Sequence, residues 1–91
     1  MMNINSSDIL TLDNNNEYVV VSKIVYNESE YIYLVNINDN SDIKFAEIEN
    51  ENGMTYITEI NTNEIDLLEQ LMPLFAKDSK EVLTHLKENN D

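Results

Sequence analysis

Carboxylates are the reactive groups this chain carries in quantity: 18 Asp and Glu stand against 5 Lys and no Arg, for a net charge of −13. Several of them sit at strand spacing. Glu47, Glu49 and Glu51 fall at every second residue, and Glu28 and Glu30 repeat the interval. In an extended strand, residues two apart point the same way roughly 6.5 to 7 Å from each other. That spacing is comparable to the separation of successive phosphates along a nucleic-acid strand. Such a row has the chemistry to occupy a Lys- and Arg-lined groove and to displace the ions held there. Asp39 and Asp42 lie close by in the chain.

The competing reading of the same row is a solvated face that keeps a small sheet from pairing edge to edge. Lysine would protect an edge equally well, and it is scarce. The chain has 15 Asn but only 5 Lys, although an AT-rich coding sequence would supply both, so positive charge has been avoided. A net charge this far from zero repels nucleic acid and anionic membranes and attracts basic surfaces. The imbalance is concentrated in residues 1 to 76, with 14 acids and 2 Lys, whereas residues 77 to 91 hold 4 acids and 3 Lys.

The rest of the reactive inventory is thin. There is one His and no Cys, and the serines (Ser6, Ser7, Ser22, Ser29, Ser41, Ser79) fall in no nucleophile motif with a partnered base. A single glycine excludes a glycine-rich phosphate loop. His85 reads as a solvated residue on a terminal helix. Catalysis is therefore not expected, and no cofactor is expected either. A calcium loop is the sharper temptation. Asn36, Asn38, Asn40, Asp42 and Glu47 fall at positions one, three, five, seven and twelve of an EF-hand register, with apolar Ile43 at eight. Position one is Asn where Asp is usual, position six is Ser41 where Gly is usual, and the flanks read as strands, so a hairpin turn is the expectation.

Positioning the carboxylates requires a sheet. Tyr18 to Tyr26 and Tyr31 to Ile37 are runs of β-branched and aromatic residues around the polar break Asn27-Glu-Ser-Glu30, a β-hairpin by pattern. With Tyr26 facing Tyr31, Ile24 opposes Tyr33 and Val20 opposes Ile37. The other face then carries Val19, Val21, Val25, Ile32 and Leu34. A hairpin apolar on both sides needs cover on both sides, so it is placed at the centre of a larger sheet. Asp8 to Leu12 reads as an edge strand, Asp42 to Glu49 as a long strand and Met54 to Ile60 as a strand with one wetter face. Gly53 is the residue best suited to a positive φ.

At Asn61 the period changes to 3.6. Ile65, Leu68, Met72 and Phe75 recur at helical spacing behind Asn61-Thr-Asn-Glu64, a cluster able to cap. Pro73 inside this pattern predicts a kink or break near Leu71. A second helix is expected from Asp78 or Ser79 to about Lys87, with Val82, Leu83 and Leu86 as a narrow stripe. Residues 1–7 read as a disordered end.

The fold expected is α+β: a twisted antiparallel meander of four to five strands, near a small barrel, with one or two C-terminal helices packed on it. Its 91 residues form one domain. No basic leader or bilayer-length apolar run is visible, which predicts a cytoplasmic protein.

The order Ile9-Leu-Thr-Leu-Asp13, Glu17-Tyr-Val-Val20, Tyr31-Ile-Tyr-Leu-Val35, Glu51-Asn-Gly53, Ile57-Thr-Glu-Ile60, then an acidic helix, resembles an uncharacterised family of small acidic proteins of Gram-positive bacteria. This is domain-of-unknown-function family 1292, and the likeness spans residues 8 to 75. It implies a similar strand-rich order and carries over no catalytic residue. Many members have an Asp-Gly or Glu-Gly turn after the first strand, where this chain has Asp13-Asn-Asn-Asn16. Small acidic phage inhibitors of nucleases are similar in composition and size.

The expected function is a non-catalytic acidic inhibitor or regulator of the DNA-mimic or anti-CRISPR type. It would bind a basic, nucleic-acid-handling protein through Glu28, Glu30, Asp39, Asp42, Glu47, Glu49 and Glu51, without contacting nucleic acid or membrane itself. The alternative is a housekeeping adaptor or oligomer of an uncharacterised bacterial family that uses apolar contacts, through Val82, Leu83 and Leu86 of the C-terminal helix, where a homodimer could form, or through an exposed sheet face.

Overall fold

Alternating β-branched and aromatic residues become five strands: β1 (Ile9–Thr11), β2 (Glu17–Tyr26), β3 (Ser29–Asn36), β4 (Asp39–Glu51) and β5 (Met54–Glu59), followed by helix α1 (Ile65–Asp78). A computed structural model of the chain describes residues 4–79. The strands form one curled sheet in sequence order, each antiparallel to the next. The α+β meander read from the pattern is therefore the fold, with one helix among the described residues. The second helix expected beyond Ser79, with Val82, Leu83, His85 and Leu86, lies outside them.

Turn chemistry sets the register. Asn27 and Glu28 take φ of 53° and 69°, and Asn52 and Gly53 take 53° and 80°. Paired left-handed residues match the twist of the flanking strands and close a two-residue hairpin. The first turn is thus two residues long rather than four, and Ile24 opposes Tyr31 instead of Tyr33. A bulge between Val20 and Ser22 then reverses the alternation. Val20 consequently points away from Ile24, and Ile37, expected opposite Val20, sits in a turn at 44 % exposure.

Each face has its own core. On one, Ile24, Tyr31, Tyr33 and Val35 pack with Ile60, Leu71 and Phe75 beneath α1. Tyr33 meets Phe45 and Phe75 edge-on, with ring centroids 5.1 and 5.7 Å away, a favoured arrangement for aromatic quadrupoles. On the other, Tyr18, Val20, Ile32, Leu34, Ala46 and Ile48 cluster with Ile4. Residues from Ile4 onward are therefore not a loose end: Ile4 is buried, and the Ser7 amide donates to the Val20 carbonyl at 2.7 Å.

Helix α1 runs through Pro73 without the break expected near Leu71. A proline there costs on the order of 3 kcal/mol. Full burial of Leu71 and Phe75, worth roughly 1.5–3 kcal/mol each, offsets it. Pro73 also faces solvent, where water can take the carbonyl its ring leaves unbonded. The Asn61 to Glu64 cluster forms a turn, with the Asn63 amide donating to Asn61 Oδ1, and no side chain caps the helix. Among the described residues no helix is long and apolar enough to cross a membrane.

Candidate functional site, an acidic ridge on the fourth strand

Strand β4 is 13 residues long and extends to Glu51, so Glu47, Glu49 and Glu51 all belong to one continuous pleat. Ala46 and Ile48, on either side of Glu47, are buried in the core opposite α1. The three glutamates therefore project together on the other side, at the roughly 6.5 to 7 Å interval of alternate strand residues. Directly opposed residues share a face. Glu47 accordingly stands between Tyr31 and Thr58, Glu49 beside Tyr56, and Glu51 beside Met54. Tyr56 and Met54 are 44 % and 58 % exposed, which gives the row an apolar flank.

The β2–β3 turn adds to it. Glu28, Glu30, Glu47, Glu49 and Glu51 line one shallow depression of about 490 Å³. Glu30 differs from the others because it opposes Ile48, not Glu47. It lies on the far face and is held by Lys23 at 2.8 Å. Among the described residues no ion pair involves Glu28, Glu47, Glu49 or Glu51. Burial and the negative charge of Glu47 both push the Tyr31 phenol above its ordinary pKa, so Tyr31 stays a neutral neighbour of the row.

Asp39 and Asp42 are not part of this ridge. They lie at the other end of β4, and Asp42 to Glu49 is seven steps of about 3.3 Å along the strand. Asp39 accepts bonds from the Ser41 hydroxyl and amide. Asp42 accepts from the Tyr18 hydroxyl at 2.5 Å and from the Asn36 amide at 3.1 Å, with Lys44 at 3.8 Å. Those two hydrogen bonds hold the Asp42 carboxyl below its ordinary pKa, Lys44 contributing less. The residues of the EF-hand register are spread along this hairpin: Asn36 ends β3, Asn38 is in the turn, and Asn40, Asp42 and Glu47 lie in β4. No group of three or more His, Asp and Glu among the described residues is placed to hold a metal.

Two features escaped sequence reasoning. The Tyr18, Asn36 and Asp42 network joins residues up to 24 apart, which no local pattern reveals. A cleft of about 620 Å³ opens between β1 and β5, over Leu34 and Ala46, and depends on how far the sheet curls. No protein-family model matches the chain, and no curated protein or solved structure matches it either.

Proposed function

We propose that the chain is a non-catalytic acidic interaction protein that binds, and restrains, a basic nucleic-acid-handling partner through Glu47, Glu49, Glu51 and Glu28. The single observation that carries this reading is the uncompensated row. Four carboxylates crowd one surface while the described ammonium groups that form ion pairs serve Glu30, Asp42 and Glu59. Carboxylates at phosphate-like intervals, without cations of their own, form a template for an arginine- or lysine-lined groove. Exposed Tyr56 and Met54 add contact area of the kind interfaces favour. Glu30, tied to Lys23, supports the ridge from behind. Asp39 and Asp42 are assigned to the fold rather than to the partner. The resemblance to the acidic family of Gram-positive bacteria remains part of this proposal, as does a cytoplasmic setting.

The test is capture of partners from a cell lysate at low and moderate salt, with wild type and with Glu47, Glu49 and Glu51 all changed to Gln. The reading expects a basic partner whose retention falls steeply with salt and is lost in the triple variant. A complex indifferent to salt and retained by the triple variant would instead support an adaptor that binds through apolar contacts. Exposed Ile65 at the start of α1 offers one such contact, in a groove with Leu68, Met72 and Pro73.

A further inference from the structure

The cleft between β1 and β5 lies on the opposite face of the sheet from the ridge, which it meets at Tyr56 of β5, and its walls are the two ends of the strand order. Four successive antiparallel pairings reverse the chain direction four times. Strands β1 and β5 therefore run the same way. A five-stranded meander of this kind cannot close on itself with antiparallel bonds, because an up-and-down barrel of alternating directions needs an even number of strands. One further strand, running opposite to both walls, would complete the ladder on each side.

The inner face is prepared for it. Leu10, Ile57 and Leu34 supply apolar wall and floor, and Ala46 keeps the floor low. Ile57 opposes Ile48, and Glu59 opposes Ala46, so both point into the cleft. The lip is acidic. Lys44 is the single cation among the lining residues, and it is already engaged by Glu59 at 3.4 Å and by Asp42 at 3.8 Å. Asp13 is left as an additional carboxylate.

We propose that this cleft binds an extended peptide segment of a partner protein by strand addition. The segment runs antiparallel to both β1 and β5, presents apolar side chains to Leu34 and Ala46, and carries basic side chains at the alternate, outward positions, where the chain's net charge of −13 attracts them. Backbone bonds to two sheet edges supply affinity and the alternating pattern supplies selectivity. This site is distinct from the acidic ridge and stands or falls without it.

The probe is a blocked hexapeptide of alternating valine and lysine, the length of the six-residue β5, added to the full chain. Two controls keep its composition: one groups the lysines at one end, and one is methylated on the valine amide nitrogens. At about 0.3 M salt, where loose charge attraction is screened, the alternating peptide is expected to bind about tenfold or more tighter than both controls, since these lose pattern or backbone donors. Amide resonances of Ile9, Thr11, Ile57 and Glu59 should shift and gain protection from hydrogen exchange, while those of Glu47 to Glu51 stay put. Equal binding of the methylated peptide, shifts confined to the ridge, or no binding would each overturn the inference. Contacts placing residues 80–91 of the same chain in the cleft would also overturn it. Ile57→Glu is expected to abolish binding, and the methylated peptide keeps the test valid should that variant not fold.

Discussion

The two ends of β4 carry the same kind of residue and treat it in opposite ways. At the Asp42 end the carboxylate accepts bonds from Tyr18 and Asn36 and lies near Lys44. At the Glu47 to Glu51 end no ammonium group among the described residues comes within ion-pair distance of the row. The first arrangement joins β2, β3 and β4. The second leaves like charges side by side, which contributes nothing to folding and keeps the charge available to something outside. Within one strand, then, partnering separates a carboxylate that belongs to the fold from one left without a counter-charge among the described residues.

Substitution should sharpen this contrast. Asp42→Ala leaves the hydroxyl of fully buried Tyr18 without its acceptor, and a buried group so orphaned costs about 1–3 kcal/mol. Urea unfolding should show a loss of that size, whereas Glu49→Gln should move stability by less than about 0.5 kcal/mol, as exposed substitutions do. Equal losses would erase the distinction between the two ends.

The pH dependence carries the same signature. The Asp42 carboxyl is depressed in the folded state, so its contribution is present above the ordinary value of 3.8 and is lost as pH falls through the lower folded value. Acid titration of stability should flatten in Asp42→Asn and keep its slope in Glu49→Gln. At the alkaline end burial raises the Tyr33 phenol. Its contribution is present below the ordinary 10.0 and fades as pH climbs through the raised value.

A smaller effect separates fold from function at the β2–β3 turn. Glu28 holds φ at 69°, a conformation that costs a side-chain-bearing residue roughly 1–2 kcal/mol and glycine almost nothing. Glu28→Gly should therefore raise stability, by about 1 kcal/mol at most once the unfolded chain's added freedom is counted. The same change should weaken capture of a basic partner. A rise in thermal midpoint with undiminished capture would remove Glu28 from the ridge.

Much of the strand order was legible because hydrophobic alternation is local. Tyr31 to Val35, the acidic repeat at Glu47, Glu49 and Glu51, and the positive φ at Gly53 each declare themselves within a few residues, although the strand runs to Glu51, two residues past the end expected at Glu49. At Val21 a bulge inserts one residue and reverses every face that alternation assigns toward the N-terminus of β2. At Asn27-Glu28 the two-residue turn is equally hidden, because glutamate in the left-handed region has weak sequence cues. The apparent break at Pro73 was overridden by the burial of Leu71 and Phe75, an energy a helix propensity does not contain.

Composition and periodicity alone decide that this chain is acidic and sheet-rich with a helix after its strands, because charge is a sum and pleating is a property of neighbours two residues apart. Which carboxylates stay unpartnered is a different kind of fact. It depends on Lys23 reaching Glu30, on Tyr18 reaching Asp42 across 24 positions, and on the curl that opens a cleft between the first strand and the last. Those are contacts between residues distant in sequence, and packing in three dimensions creates them.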